Sequence, residues 1–296
     1  MTDTTAPTRF AVLGAGTWGT TLADVLDRNG HDVICWDIDR SLTDRLTSEH
    51  RHPRLPGLEL RPSLRFTSDL GEALSHAQAV VLVVPSQAMR SACGQILATG
   101  RAHEIEAWII CSKGIERDTN LLMHEVLRDV LGEEAARRTG VLSGPSHAEE
   151  VSLGLPTTVA AAAADPQLAE RIQLWFFRPH LRVYTHDDVL GVELGGSVKN
   201  VIAIAAGVSD GMGFGDNGRA ALITRGLAEI VRLGLAAGAR LETFMGLSGI
   251  GDLIVTAGSV HSRNHTFGRL LAEGHDVERA LKEVGMVVEG YHTARS

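Results

Sequence analysis

At 296 residues the chain is long enough for two domains, and with 44% hydrophobic and 22% charged residues it has the composition of a globular protein that folds in water. A formal charge of −8, with no basic cluster interleaved with aromatics, excludes a phosphate-tracking nucleic-acid surface and leaves small molecules as the expected ligands. Cys35, Cys93 and Cys111 make no disulfide framework or CxxC pair, no HExxH occurs, the start MTDTTAPTR lacks a signal pattern, and the apolar runs read as shorter than a membrane span, so a cytoplasmic protein without metal site or integral membrane segment is expected.

The first informative stretch is FAVLGAGTWGTTLADVLDRNGHDVICWDID at 10–39. Residues 10–13 suit a buried parallel strand, and Gly14, Gly16 and Gly19 then write GxGxxG at the mouth of a helix that runs to about Asn29. Each glycine has a mechanical reason: Gly14 permits the tight turn, Gly16 lets backbone approach a pyrophosphate, and Gly19 allows close helix-to-strand packing. A second strand at 32–36 ends at Asp37, placed to accept hydrogen bonds from an adenosine ribose. A carboxylate there repels a 2′-phosphate and tilts the expected cofactor toward NAD, while Arg40 could offset that repulsion and admit NADP.

Further along, AVVLVVPS (79–86) and AWIICSKG (107–114) read as central parallel strands whose polar carboxyl ends, Lys113 among them, face the ligand crevice of an open sheet. GVLSGPSHAEE (140–150) carries a Gly-Pro turn and then Ser146 with Glu149 three residues on, the spacing of a capping box. TTVAAAAA (157–164) and LRVYTHDD (181–188) read as strands around a helix opened by Asp165 and Pro166. Beyond 188 the pattern turns helical, over 189–210, 218–238 and 262–273. The expected architecture is α/β, with a Rossmann-like dinucleotide-binding domain at 1–188 followed by an all-α substrate domain at 189–296.

One residue in the second half fits its surroundings poorly. GGSVKNVIAI (195–204) has the periodicity of a helix whose Val198, Val201, Ile202 and Ala205 line a buried face, yet it contains Lys199. Only Lys113, Lys199 and Lys282 among 28 basic residues are lysine, so this chain writes arginine where a fixed charge suffices. A lysine can give up its proton at accessible pH, and arginine cannot. HSRN (261–264) offers Ser262 as an N-cap with Arg263 and Asn264 in the first helical turn, where free amides and a guanidinium converge on a phosphate or carboxylate site. GIGD sets Asp252 before LIVT, a place equally suited to simple capping.

Together GAGTWGT, VVPSQ, CSKGIE, SGPSHAEE, GLPTTV, GVELGGSVKNVIAIAAGVSDGMGFGDNGRAALITRGLAE, GLSGIGDL, SRNHTFG and VVEGY resemble the NAD(P)-dependent sn-glycerol-3-phosphate dehydrogenases, from about residue 10 to the end of the chain. The resemblance implies interconversion of sn-glycerol 3-phosphate and dihydroxyacetone phosphate with NAD or NADP, supplying phospholipid synthesis. It implies that Lys199 is the catalytic lysine and that Lys113 touches both cofactor and substrate. It assigns Gly144, Ser146, Asp252, Ser262, Arg263 and Asn264 to the substrate, and Thr17, Trp18, Ala148, Arg263, Val287 and Glu289 to the cofactor.

Three departures accompany the resemblance. Trp18 stands where Tyr or Phe is frequent, Asp37 and Ile38 replace a pair that is usually non-acidic in bacterial relatives, and the chain stops short of the family's last helical stretch. A homodimer is compatible with this reading. A β-hydroxyacid dehydrogenase of similar plan, or a non-catalytic NAD(P)-binding sensor, are the alternatives; the phosphate-site residues disfavour the first and the two lysines the second.

Overall fold

The structure is a computed structural model and describes residues 7–296; residues 1–6, part of the stretch read above for a targeting signal, lie outside the described residues. Its N-terminal part is built on an eight-stranded sheet of β1 (Arg9–Leu13), β2 (Asp32–Trp36), β5 (Arg65–Thr67), β6 (Ala79–Leu82), β7 (Ala107–Ile110), β8 (Thr139–Ser143), β9 (Thr157–Ala163) and β10 (Leu181–His186). The strand order is β10-β9-β8-β7-β6-β1-β2-β5. Successive residues of the central strands point to opposite faces, and both faces are covered. Phe10, Val12, Val81 and Ile109 enter one core, while Leu13, Leu82, Trp108 and Ile110 enter the other. Two-sided burial is why these strands read as continuous apolar runs rather than alternating ones. Cys35, Cys93 and Cys111 are all buried and none is disulfide-bonded.

Several details depart from the expectations. β9 runs antiparallel to β8, because the segment between them holds only the five-residue Ala148–Ser152 helix and the chain turns back instead of crossing over. The capping box at Ser146 does not form: the Ala148–Ser152 helix starts after His147, and the Ser146 hydroxyl instead donates to the Gly144 carbonyl at 2.9 Å. Between the second and sixth strands lies an unforeseen antiparallel hairpin, β3 (Arg51–His52) and β4 (Leu55–Glu59).

All elements after β10 are helical. The Val189–Gly211 helix is their axis, packed by the Gly215–Ala237, Asp252–Gly258, Arg263–Ala272 and Glu289–Thr293 helices. By length and apolarity it could cross a membrane, which corrects the reading of the apolar stretches as too short. It is the core helix of its lobe, however, with Glu193, Lys199 and Asn200 buried against neighbouring elements.

Its buried face also differs from the expected one. Val198, Val201, Ile202 and Ala205 are half-buried, and the deepest stripe is Lys199, Ala203, Ala206 and Gly207. Small residues win that face because the Arg263–Ala272 helix comes into backbone contact there. A Cβ on Gly207 would run into the His265 carbonyl, and one on Gly268 into the Ile204 carbonyl. Replacing Gly207 with Val should therefore destabilise the protein by about 3 kcal/mol in urea unfolding, the upper range for overpacking a tight contact; an unchanged midpoint would show that the two helices can part freely.

Candidate active site

The carboxyl ends of β1, β6, β7 and β8 open onto one crevice, with the helical lobe as its far wall. On the sheet side, Gly14 adopts φ +111°, and a Cβ there would lie 2.9 Å from the Val83 carbonyl oxygen. A Cβ on Gly19 would strike the Gly14 carbonyl, so turn and helix can meet only without side chains. Gly16 starts the Thr17–Arg28 helix with no side-chain cap, and the space its missing Cβ would fill is open. The free amides of that first turn, beside Thr17 and Trp18, thus stand next to open space at the positive end of the helix. Asp37 accepts the Ala15 N–H at 2.7 Å and the Asp39 N–H at 3.0 Å, which holds its carboxylate at the rim of the same loop. Arg40 turns to Asp44 at 3.7 Å on the exposed surface instead of offsetting Asp37. This loop, helix and acid fit a dinucleotide.

Deeper in the crevice stands Asp252, 1% exposed, with a lysine on each oxygen. Lys113, from the loop after β7, donates to Oδ2 at 2.7 Å and to the Gly144 carbonyl at 3.0 Å. Lys199, 5% exposed, bonds Oδ1 and donates to Thr256 Oγ1 at 2.7 Å. Asp252 is therefore not a simple helix cap; the residue before it, Gly251, holds that position. Burial lowers the Lys199 pKa to about 7; the Asp252 carboxylate opposes the shift, and the Lys113 ammonium adds to it. Burial also works against Asp252 ionising, but the two lysines outweigh it and hold the carboxyl below its ordinary range. Neither Glu193 nor Asp210 takes up Lys199. Glu193 accepts the backbone N–H and ring of His124, and Asp210 binds His265 and Arg219.

Close backbone approach makes this arrangement possible. A Cβ on Gly195 would lie 2.6 Å from the Ser248 carbonyl oxygen, and one on Gly196 would lie 2.7 Å from Ser143 Oγ and 3.6 Å from Lys113 Cδ. The turn at Leu247–Gly251 is a π-type distortion, with Gly249 at φ −100°, ψ −105°, and it delivers Asp252 to the lysines.

The remaining predicted residues gather around this centre. Ser262 caps the Arg263–Ala272 helix through the His265 N–H at 3.2 Å, as expected, and Arg263 extends its side chain from the first turn. Asn264 donates to Asn200 Oδ1 at 3.0 Å and accepts the Gly290 N–H at 2.9 Å, which leaves one amide hydrogen for a ligand. Ala148 is buried, and Val287 is partly exposed beside Val288 and Glu289. Glu289 reaches across the crevice, accepting the Ser86 N–H at 3.0 Å and its hydroxyl. Burial raises the Glu289 pKa, with the Ser86 bonds acting against the shift.

Thr256, Ser86 and Asn200 were not anticipated. For Thr256 a signal existed, since it lies four residues after Asp252 and shares its helical face. Ser86 closes a strand whose polar carboxyl end was placed at the crevice and Asn200 follows Lys199, but nothing local pointed to their partners, 203 and 64 residues away.

A glycine-loop sheet domain, a helical lobe and a buried lysine of lowered pKa at their junction define a two-domain nicotinamide-dependent dehydrogenase. The profile of the NAD-dependent glycerol-3-phosphate dehydrogenase N-terminus matches residues 9–169, and that of the corresponding C-terminus matches 188–296. The chain belongs to this family. It is 50% identical over 289 residues to a glycerol-3-phosphate dehydrogenase (NAD(P)+) of Geobacter sulfurreducens, covering 97% of this chain and 86% of that one. It is 48% identical over 289 residues to its counterpart in Bacillus velezensis, covering 97% and 83%. The crystal structure of glycerol-3-phosphate dehydrogenase from Coxiella burnetii superposes with a TM-score of 0.90 at 38% identity, covering 98% of this chain and 88% of that one.

Asp252 is the test of the buried charge cluster. Asp252→Asn leaves the two amines without their counter-charge and, because the carboxylate is what opposes the lowering of the Lys199 pKa, pushes that pKa further down; we expect a loss of about 3 kcal/mol in denaturant unfolding. Equal stability of the variant and the parent would mean that the carboxylate is not ionised in the fold.

Proposed function

We propose that this chain interconverts sn-glycerol 3-phosphate and dihydroxyacetone phosphate, with Lys199 exchanging the hydroxyl proton and NAD preferred as cofactor. The observation that carries the reading is the buried Lys199 sharing the Asp252 carboxylate with Lys113 at the crevice floor. We place the division between the sheet domain and the catalytic lobe after Asp188, which caps the Val189–Gly211 helix. The family resemblance supports glycerol 3-phosphate supply for phospholipid synthesis as its cellular role, and three unpaired buried cysteines suit a reducing, cytoplasmic setting.

The bound nicotinamide accepts or supplies the hydride; the side chains do the rest. Neutral Lys199 takes the proton of the substrate hydroxyl as the alcohol is oxidised, and its ammonium returns one in the reverse direction. Asp252 and Thr256 fix the amine by hydrogen bonds, so it meets the substrate in one orientation. Lys113 supplies a positive charge at the same carboxylate and stabilises negative charge developing on the substrate oxygen. Arg263, at the start of its helix with free amides, is suited to the phosphate, and Ser146 and Gly144 line the path between. Asp37, which Arg40 does not offset, disfavours a 2′-phosphate.

The sign of the pH dependence follows from the base. Above about 7 Lys199 is neutral, so glycerol 3-phosphate oxidation should rise through that pH, and dihydroxyacetone phosphate reduction should fall. Lys199→Met should lower kcat by about 100-fold or more in both directions while NADH affinity changes by no more than about twofold. A variant that retains a tenth of the parent rate would falsify the role of Lys199. In a comparison of NADH with NADPH at saturating dihydroxyacetone phosphate, Asp37→Asn should shift the kcat/KM ratio toward NADPH by about tenfold; an unmoved ratio would place the selectivity elsewhere.

A further inference from the structure

The β3–β4 hairpin has no part in the site so far, yet it touches both walls of the crevice. Beside its turn, at the end of β3, His52 is 4% exposed. Its Nδ1 accepts the Arg54 N–H at 3.1 Å, and its ring also stands against the backbone of Ala15, inside the glycine loop. At its tip, the Arg54 side chain leaves the sheet domain and donates through Nη2 to the Gly285 carbonyl at 3.1 Å, 231 residues away. Gly285 is the left-handed cap of the Val277–Val284 helix, so a guanidinium there also meets the negative end of that helix. The turn of the hairpin thus links Ala15 of the glycine loop to Gly285 of the helical lobe.

The charge pattern is the second observation. Arg54 is exposed, its charge acts on Arg263 alongside the larger opposing effects of Glu289 and Glu149, and neither arginine forms a salt bridge among the described residues. Two guanidiniums this close repel unless an anion comes between them, whereas other arginines of the hairpin and its flanks are paired: Arg51 with Glu59, Arg45 with Glu49, Arg28 with Asp24. Leaving Arg54 and Arg263 unpaired at the glycine loop is what a binding site for a dianion requires.

We propose that Arg54 is a further cofactor-binding residue, whose guanidinium closes over the phosphates of the dinucleotide seated on the glycine loop while it bridges to the helical lobe. This rests on the reading above that the crevice takes NAD or NADP. His52 is then a positioning residue: it holds the hairpin to Ala15, and Asp37 holds the same residue from the other side.

The experiment is a titration of the full chain with NADH, ADP and adenosine, followed by fluorescence and calorimetry, on the parent, Arg54→Ala and Arg54→Gln. Glutamine can still donate to the Gly285 carbonyl but carries no charge. Both variants should bind NADH and ADP about tenfold more weakly, as expected for a lost charge-assisted bond, with a flatter salt dependence and unchanged adenosine binding. If Arg54→Gln binds NADH as the parent does, or if adenosine binding falls as much as ADP binding, Arg54 is only a structural bridge and the proposal is overturned. A parent that binds neither NADH nor ADP would overturn the dinucleotide reading itself, and this proposal with it.

Discussion

One buried carboxylate holds this site together. Asp252 is shared by two ammonium groups, one from a loop of the sheet domain and one from the central helix of the helical lobe. A single negative charge cannot neutralise both, and two of the three groups are almost wholly buried, so the cluster keeps a surplus positive charge in a poorly polarisable place. That surplus is relieved in two ways: the deeper amine, Lys199, gives up its proton near neutral pH, or an anion enters the crevice. Both are what an alcohol dehydrogenase acting on a phosphorylated substrate requires. A buried ion cluster of this kind adds little to stability for the desolvation it costs, which makes chemistry the better reason for its presence.

The rest of the architecture keeps those three side chains in register. Gly195 and Gly196 let the long helix lie against Ser248 and Lys113, and the Ser197 hydroxyl donates to the Gly114 carbonyl beside Lys113. The π-type turn at Leu247–Gly251 turns Asp252 inward. Glu289 clasps Ser86 on the opposite side of the crevice. Each side chain of the cluster is therefore carried on, or tied to, a packed helix or strand end, and the distances between them are set by backbone contact rather than by flexible loops.

Much of this could be read before any coordinates. The glycine loop with its terminal acid is local chemistry, and Gly14, Gly16, Gly19 and Asp37 stand where the spacing put them. Lys199 was visible as a charge inside an apolar helix, and Ser262 as a cap. What failed were judgements that depend on partners. The buried face of the long helix was assigned to its bulkiest residues, whereas close approach by the Arg263–Ala272 helix gives it to the smallest. Ser146 matched a capping box, but its hydroxyl was claimed by the Gly144 carbonyl. Arg40 looked like the counterweight to Asp37 and turned out to face Asp44. The hairpin that carries Arg54 has too little apolar alternation to announce itself.

The amino-acid order by itself determined the elements and the residue types: a dinucleotide loop, a run of two-sided strands, a helical second half, and a lysine where arginine would have been the habit. These depend on interactions within a few residues of each other, through backbone sterics and hydrophobic period. Only the tertiary structure decided which acid sits between the two lysines, which proton is therefore loose, and which arginines come close to one another. Those outcomes come from groups tens to hundreds of residues apart, whose energies depend on burial and distance, and neither quantity exists until the chain has folded.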